Sequence, residues 1–168
     1  MTQILFKNIN AKDLHTLKVY EEQGGYQSLK KAFARKPEEI IEMVKASGLR
    51  GRGGAGFPAG LKWSFLAKNV FPRYLCCNAD ESEPGTCKDR ELLLKNPHML
   101  IEGMILCSYA CQIETGYIYM RGEFHDLSFI MDKALEEAHA KGYLGKNILG
   151  NGINLDIHTH LGAGAYIC

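Results

Sequence analysis

Apolar side chains recur at helical spacing in three stretches of the chain, and we expect these to form helices. The first has Pro37 at its first helical position and ends near Gly48. The second covers residues 96–111 and is apolar nearly all round, which is typical of a buried helix. The third covers residues 125–141 and is followed by a glycine. A less regular segment, residues 13–34, predicts one or two short helices interrupted by a pair of glycines.

Three short apolar runs predict β-strands, namely "RYLCCN" (73–78), "GYIYMRG" (116–122) and "NLDIHTHLG" (154–162). The first run is bounded by polar residues, and we expect that strand to be buried on both faces of a parallel sheet. Because the strands alternate with helices, we predict an α/β, Rossmann-like fold with a largely parallel sheet flanked by helices. A helical lead, residues 1–36, precedes this α/β domain, which covers residues 37–168.

Composition excludes some classes of partner. The chain carries 20 Lys and Arg against 19 Asp and Glu, so no field of a single sign attracts nucleic acid or an acidic membrane. Its longest apolar run, "PHMLIEGMILCSYAC", falls short of the roughly 20 residues that span a bilayer. The amino end has neither a signal-peptide nor a transit-peptide pattern. We therefore expect a soluble cytoplasmic protein with no nucleic-acid partner.

Metal and hydrolytic chemistry lack their sequence motifs. No cysteine forms a C-x-x-C pair or stands at zinc spacing from a histidine. His158 and His160 alternate on a predicted strand and share a face, but we find no third metal ligand for them. Nucleophile-elbow, H-E-x-x-H and Walker motifs do not occur. We predict no metal site, and we expect the cysteines to be free thiols that act as small apolar side chains in a reducing compartment: Cys76, Cys77, Cys87, Cys107, Cys111 and Cys168.

The segment "GLRGRGGAGFPAGLKW", residues 48–63, combines six glycines with positive charges only. It contains G-x-G-x-x-G spacing, but a predicted helix precedes it where the dinucleotide fingerprint requires a strand. Glycines still let a ligand approach the backbone and expose N–H donors to an anion, to which Arg52 and Lys62 add charge. The alternative is a flexible surface loop. An RNA-binding segment is disfavoured because Arg-Gly-Gly occurs once.

The segment "NADESEPGT" places Asp80, Glu81 and Glu83 just past the carboxyl end of the first predicted strand, where open α/β sheets bind their ligands. Carboxylates suit sugar hydroxyls and ring N–H groups and are poor partners for phosphate. The glycine segment and the carboxylates together therefore predict one nucleotide site. A solvated acidic turn is the alternative. Phe57 and Phe65 flank Lys62 in the sequence and can stack on a planar base, with a role in the core as their alternative.

Several motifs resemble those of a family of flavin- and NADH-binding proteins, the electron-input subunits of respiratory complex I, the NADH:quinone oxidoreductase. They are "GLRGRGGAGFPAGLKWSF", "NADESEPGTCKDRELL", "PHMLIEGM", "GYIYMRGEF", "GKNILGNG" and "GAGAYIC", and the resemblance covers about residues 37–168. It implies that noncovalent FMN takes hydride from NADH and passes electrons singly to iron–sulfur clusters. Ser82 stands where the family often has glycine. The implied flavin-site residues are Gly51, Arg52, Gly53, Gly54, Lys62, Asn78, Asp80 and Tyr166.

The same resemblance implies contacts to the dinucleotide from Phe57, Lys62, Phe65, Glu81 and Glu83, with Glu83 as the catalytic residue. Ala55, Gly56 and Gly60 complete the predicted cofactor-binding set. FMN and NADH are the expected cofactors, and a [4Fe-4S] cluster is expected only in a carboxyl-terminal part that this family adds. The chain is therefore expected to be an amino-terminal fragment that is inactive alone.

The partners implied by the resemblance are other peripheral-arm subunits of complex I, especially a [2Fe-2S] ferredoxin-like subunit. Membrane contact is then indirect, at the inner face of the cell membrane. Two alternatives stay open at this stage. The chain can be the diaphorase subunit of a soluble NAD-linked hydrogenase or formate dehydrogenase, or a non-catalytic remnant that serves as an interaction piece.

Overall fold

Three parallel strands form one sheet in the order β1-β2-β3, in the computed structural model that describes residues 4–166. The strands are β1 (Tyr74–Ala79), β2 (Thr115–Met120) and β3 (Asp156–Leu161). The helices are α1 (Leu17–Glu22), α2 (Gln27–Phe33), α3 (Pro37–Ala46), α4 (Ala59–Ser64), α5 (Lys88–Lys95), α6 (Pro97–Cys111) and α7 (His125–Ala140), with a 3-10 turn at Ile148–Gly150. The predicted α/β fold with a parallel sheet is confirmed.

Burial alternates along all three strands, so the sheet has one covered face and one exposed face. Ile118 and Ile157 are buried on the covered face, where α6 and α7 contribute Ile105 and Met131 to the same core. The prediction that the first strand is buried on both faces is wrong. Tyr74 is 62% exposed because it lies on the uncovered face of the sheet, where Tyr117 of the central strand is exposed as well.

The amino-terminal helices α1 and α2 are held on α6 by a buried carboxylate. Glu102 accepts hydrogen bonds from the Tyr20 hydroxyl (2.5 Å) and from the backbone N–H of Tyr26 (2.9 Å). His98 lies between the Tyr26 hydroxyl (2.9 Å) and a Glu137 oxygen (3.2 Å), and burial lowers its pKa. Charge-assisted bonds of this kind are among the stronger ones, so α1 and α2 share the core of the α/β part.

The cysteines do not all serve as small apolar side chains. Those described are free thiols, but Cys76 and Cys87 are exposed, because Cys76 lies on the open face of β1 and Cys87 precedes α5. Cys111 is buried, and its hydrogen bond with Cys107 raises the pKa of the Cys107 thiol. Cys168 lies outside the described residues. Between residues 4 and 166, no helix combines the length and the apolar character needed to cross a bilayer.

Candidate functional site

The glycine segment forms a closed loop between α3 and α4. At its base, Gly51 N–H donates to the carbonyl of Phe57 (2.9 Å), and Arg50 pairs with Pro58 as an isolated antiparallel bridge. The Arg50 guanidinium also donates to the carbonyl of Gly56 (3.2 Å), so it closes the loop from inside. The base of the loop is therefore clamped by its own backbone.

The tip of this loop has open space where side chains would otherwise stand. A Cβ built at Gly53, Gly54 or Gly56 would meet no atom within 4 Å. Gly54 (φ +118°) and Gly56 (φ +63°) adopt backbone conformations that favour glycine, whereas Gly53 does not. Ala55, which lies between them, is exposed. A bare backbone of this kind fits a ligand that approaches closely and accepts N–H donors.

The cations of this region are available to an anion. Arg52 and Lys62 are exposed, and neither forms an ion pair within the part of the chain that the structure describes. Phe57 and Phe65 are 44% and 66% exposed, with ring centroids 6.0 Å apart, so the core alternative for these two rings does not hold. The donor set therefore fits a phosphate beside a planar ring.

Gly60 has a packing role that the sequence did not suggest. It is buried in α4, and a Cβ there would lie 2.5 Å from the backbone nitrogen of Lys45 in α3. Only glycine lets the two helices approach this closely. Gly60 is one of the predicted cofactor-binding residues. Its effect on a cofactor would be indirect, because Gly60 fixes the position of α4 and α4 carries Lys62.

A second polar feature, which we call the edge crevice, lies at the carboxyl end of the sheet. It has a volume of about 40 Å³ and brings together two predicted site residues, Asp80 and Tyr166. It is also lined by Tyr119, Arg121 and Glu123, which were not among the predicted site residues. Arg121 lies near the end of the predicted strand 116–122 and Glu123 directly after it, a position that was an available signal, whereas Tyr119 lies in the middle of that strand.

Two glycines let the ends of β2 and β3 come together at the edge crevice. A Cβ at Gly122 would lie 2.4 Å from the carbonyl oxygen of Gly162. A Cβ at Gly162 would lie 2.5 Å from the Tyr119 hydroxyl. The Tyr119 ring stacks on His160 with centroids 5.5 Å apart. The crevice wall is therefore tightly packed.

The acidic segment after β1 does not present its three carboxylates together. Asp80 accepts a hydrogen bond from the Ser82 hydroxyl (2.7 Å), and its N–H donates to the Asn78 side chain (3.0 Å). Glu83 is exposed. Glu81 is only 2% exposed and points into the protein. The three carboxylates therefore do not crowd together, because that of Glu81 is turned inward.

The carboxylate of Glu81 caps the amino terminus of α5. It accepts hydrogen bonds from the backbone N–H groups of Asp89 (2.7 Å) and Arg90 (3.2 Å). Burial, the largest single influence, acts to raise the pKa of Glu81, but these N–H donors and the positive charges of Lys88 and Arg90 together hold the pKa below its usual range. Its position gives this carboxylate a different role from the predicted contact with the dinucleotide, because both oxygens are already bound to backbone N–H groups.

The structure thus assembles the predicted residues in two halves. Arg52, Phe57, Lys62 and Phe65 belong to the loop and α4, while Asp80 and Tyr166 belong to the edge crevice. Within residues 4–166 no hydrogen bond or ion pair joins the loop tip to the crevice. The same residues contain no cluster of three or more His, Cys, Asp or Glu that could hold a metal ion.

Comparison with known families gives one clear match. The model of the family described as the Nuo51 FMN-binding domain matches residues 44–168. The chain is 54% identical over 167 residues to an NADH-quinone oxidoreductase subunit of Rhizobium meliloti (strain 1021), covering 98% of this chain and 40% of that protein. It is 54% identical over 165 residues to an NADH-quinone oxidoreductase subunit of Aquifex aeolicus (strain VF5), covering 98% of this chain and 39% of that protein. The chain therefore spans about 40% of the length of these curated relatives.

Solved structures of a NAD⁺-reducing [NiFe]-hydrogenase share the fold. The H₂-reduced form matches with a TM-score of 0.73 and 33% identity, covering 99% of this chain and 26% of that chain. The air-oxidised form matches with a TM-score of 0.71 and 34% identity, again over 99% of this chain and 26% of that chain. The likeness extends over almost the whole described chain.

Proposed function

The chain belongs to the Nuo51 FMN-binding domain family, and from this premise we propose that it supplies FMN- and NADH-binding residues to the electron-input site of an NADH:quinone oxidoreductase. The observation that carries the proposal is the loop tip, where Gly53, Gly54 and Gly56 leave open space around the exposed Arg52, with the exposed Lys62 in the helix that follows. These groups offer backbone donors and positive charge to a phosphate. The relatives named as NADH-quinone oxidoreductase subunits support the same assignment.

Residues of different chemistry are proposed to bind different parts of the two ligands. Arg52 and Lys62 would hold phosphate, and Phe57 and Phe65 would offer ring faces for stacking. Asp80, at the edge crevice, would accept hydrogen bonds from hydroxyl groups. Bound FMN supplies a hydride acceptor for NADH and a route by which electrons leave singly. The protein's part is to bind, to orient and to keep the two molecules in contact.

The phosphate assignment is tested by comparing FMN with riboflavin, which differs only in lacking the phosphate. Titration of the 168-residue chain with each flavin, followed by fluorescence, should show FMN binding at least tenfold tighter. Arg52→Gln and Lys62→Gln should each reduce that preference. Lys68→Gln, an exposed lysine beyond α4, is the matched control and should leave it unchanged. Equal binding of FMN and riboflavin would refute the assignment of these cations to phosphate.

Glu83 is proposed as the residue that contacts NADH, because it is the exposed carboxylate of the acidic segment. Glu83→Gln keeps the shape and removes the charge. We expect NADH affinity at saturating FMN to fall by about 1–3 kcal/mol, typical of a hydrogen bond to a charged group, while FMN affinity stays constant. The measurement is titration of the FMN-saturated chain with NADH by isothermal titration calorimetry under anaerobic conditions. Identical NADH titrations of wild type and variant would remove Glu83 from the site.

The proposed partners are other subunits of the complex, in particular a [2Fe-2S] ferredoxin-like subunit that receives the electrons. In this role the protein works at the inner face of the cell membrane and contacts the bilayer only through the complex. The hydrogenase likeness favours a second candidate, a diaphorase that couples to a hydrogenase subunit. Purification of the native assembly distinguishes them, because NADH-dependent quinone reduction supports the first and H₂-dependent NAD⁺ reduction supports the second.

A further inference from the structure

Arg121, the first residue after β2, is the strongest unassigned feature of the edge crevice. Its Nη1 donates a hydrogen bond to the backbone carbonyl of Glu81 (3.3 Å). The other side-chain hydrogen bonds to residues 80–87 in the described chain come from β1, from α5 or from the segment itself. Arg121 is therefore the side chain that links the end of the central strand to the acidic segment.

The guanidinium of Arg121 is itself held on several sides. Its Nη2 and Nε lie 3.5 Å from the two carboxylate oxygens of Glu123. Its central carbon lies 5.7 Å from the centroid of the Phe124 ring, within cation–π range. The N–H of Phe124 donates to the Arg121 carbonyl (3.0 Å) and closes a turn. A guanidinium with restrained orientation gives a directional hydrogen bond at low entropic cost.

Residue Glu81 is consequently fixed at both ends. Its carboxylate is bound to the amino terminus of α5, and its carbonyl is bound to Arg121. The residues on either side, Asp80 and Ser82, then have little freedom to rotate, and Glu83 follows directly. Arg121 also lines the same crevice as Asp80. Its positive charge therefore offsets the repulsion between the carboxylates of the acidic segment.

We propose that Arg121 is a positioning residue of the FMN and NADH site. By holding the Glu81 carbonyl, it keeps the acidic segment in the shape that presents Asp80 and Glu83 to the ligands. The proposal rests on the proposed function for its ligands, but the contact on which it depends is a property of the free chain. It can therefore be tested both with and without a ligand.

The first test is hydrogen exchange of the ligand-free 168-residue chain, followed by mass spectrometry. Arg121→Met should raise about tenfold the exchange rates of the amides of Thr86, Asp89 and Arg90, whose acceptors are the Glu83 carbonyl and the Glu81 carboxylate, while β2 stays protected as in the wild type. Arg121→Lys retains the positive charge but lacks the planar set of guanidinium donors, so it should restore only part of the protection from exchange. The control is Arg35→Met, because the exposed Arg35 side chain makes no hydrogen bond or ion pair in the described structure. Unchanged exchange in Arg121→Met overturns the proposal.

The second test is FMN titration of the same variants. Arg121→Met should bind FMN about tenfold more weakly, Arg121→Lys should recover part of that loss, and Arg35→Met should match the wild type. Faster exchange with unaltered FMN affinity overturns the positioning role. A wild-type chain that binds FMN no more tightly than riboflavin refutes the proposed function instead, while the exchange data still decide whether Arg121 holds the segment. If Arg121→Met does not fold, Arg121→Lys and Arg121→Gln provide the same comparison.

Discussion

Two glutamates only two positions apart, Glu81 and Glu83, serve different ends because their surroundings differ. Glu83 faces water, and it is free to meet a ligand. Glu81 is buried, and its oxygens accept two of the N–H groups that open α5. The first N–H groups of any helix lack partners within the helix, so a buried carboxylate is well placed there. Glu81 thereby stabilises the helix that follows the site.

Replacing Glu81 by glutamine should destabilise the fold. Gln keeps one oxygen acceptor but turns an NH₂ group toward a backbone donor, which leaves a buried hydrogen bond unmade. We expect a loss of about 1–3 kcal/mol in the free energy of unfolding at pH 7, measured by chemical denaturation. Glu83→Gln is the matched control and should change stability by less than about 0.5 kcal/mol.

The Glu81 contribution should also depend on pH with a definite sign. Because the folded-state pKa of Glu81 lies below its ordinary value of 4.5, the ionised form stabilises the fold above that pH. The stabilisation is lost as the pH falls through the lower folded-state pKa. The difference in stability between wild type and Glu81→Gln should therefore shrink below about pH 4.5. A difference that stays constant down to pH 3 would mean that the charge of Glu81 is not what matters.

Gly53 offers the cleanest test of the loop as a ligand cradle. Its φ is not left-handed and a Cβ would meet no protein atom within 4 Å, so Gly53→Val should fold with an unchanged melting temperature. The added side chain would occupy the open space, and FMN affinity should fall at least tenfold. Gly56→Val is the contrasting variant, because φ +63° makes it lose stability as well. Full FMN affinity in Gly53→Val would show that the ligand lies elsewhere.

Sequence patterns predicted some residue roles well and others poorly. The bare loop, the exposed cations and the exposed Phe57 and Phe65 rings follow from local composition and were predictable. The burial of Glu81 was not, because it depends on where the unpredicted helix α5 begins. The crevice residues Tyr119 and Arg121 were missed because only the register of β2 beside β1 places them next to Asp80.

At the scale of elements, sequence patterns located the long helices and the predicted short pair α1 and α2, but they missed α4 and α5. α7 has apolar positions at helical spacing over 16 residues, whereas α6 was evident because it is apolar nearly all round over 15 residues, which is typical of a buried helix. α4 has only 6 residues and contains a glycine, so it offered no usable pattern. The parallel sheet was predictable from the alternation of strands and helices. Its exposed face was not, because a short apolar run does not reveal whether helices cover both sides.

The contact between α3 and α4 depends on Gly60, and it determines where Lys62 and Phe65 stand. Gly60→Ala places a Cβ 2.5 Å from the backbone nitrogen of Lys45, so α4 must move away from α3. We expect a loss of about 1–3 kcal/mol, typical of overpacking, measured by thermal or chemical denaturation. FMN affinity should fall in the same variant, since the position of α4 sets two of the proposed contacts.

The control for this variant is Gly103→Ala in α6, where an added Cβ meets no neighbour within 4 Å. Alanine is the better helix former, so this change should stabilise the protein by about 0.5–1 kcal/mol. If Gly60→Ala were equally stabilising, the close approach of α3 and α4 would not be needed in solution. Comparing Gly60→Ala with Gly103→Ala therefore distinguishes the effect of helix propensity on stability from the effect of helix packing.

At the scale of the whole molecule, the loop and the edge crevice form two separate halves of the proposed site, since no hydrogen bond or ion pair joins them within residues 4–166. The loop and α4 rest on α3, whereas the edge crevice is built from the ends of the strands. The crevice volume of about 40 Å³ is far below the roughly 300–1,000 Å³ of typical small-molecule sites. Tyr166, which lines it, is 53% exposed. Binding a flavin must therefore bring the halves together and order them, and that ordering opposes binding.

We accordingly expect the 168-residue chain to bind FMN with a Kd above about 10 μM, equivalent to less than about 7 kcal/mol of binding free energy. It should show little or no NADH:ferricyanide reductase activity, because weak binding leaves few chains with flavin and NADH in contact. Flavin fluorescence titration and a ferricyanide assay measure the two quantities. The relative of Aquifex aeolicus, of which the chain covers 39%, should bind FMN more tightly in the same assay. Stoichiometric FMN binding by the 168-residue chain, with bleaching on addition of NADH, would show instead that the two halves close on the ligand without further polypeptide.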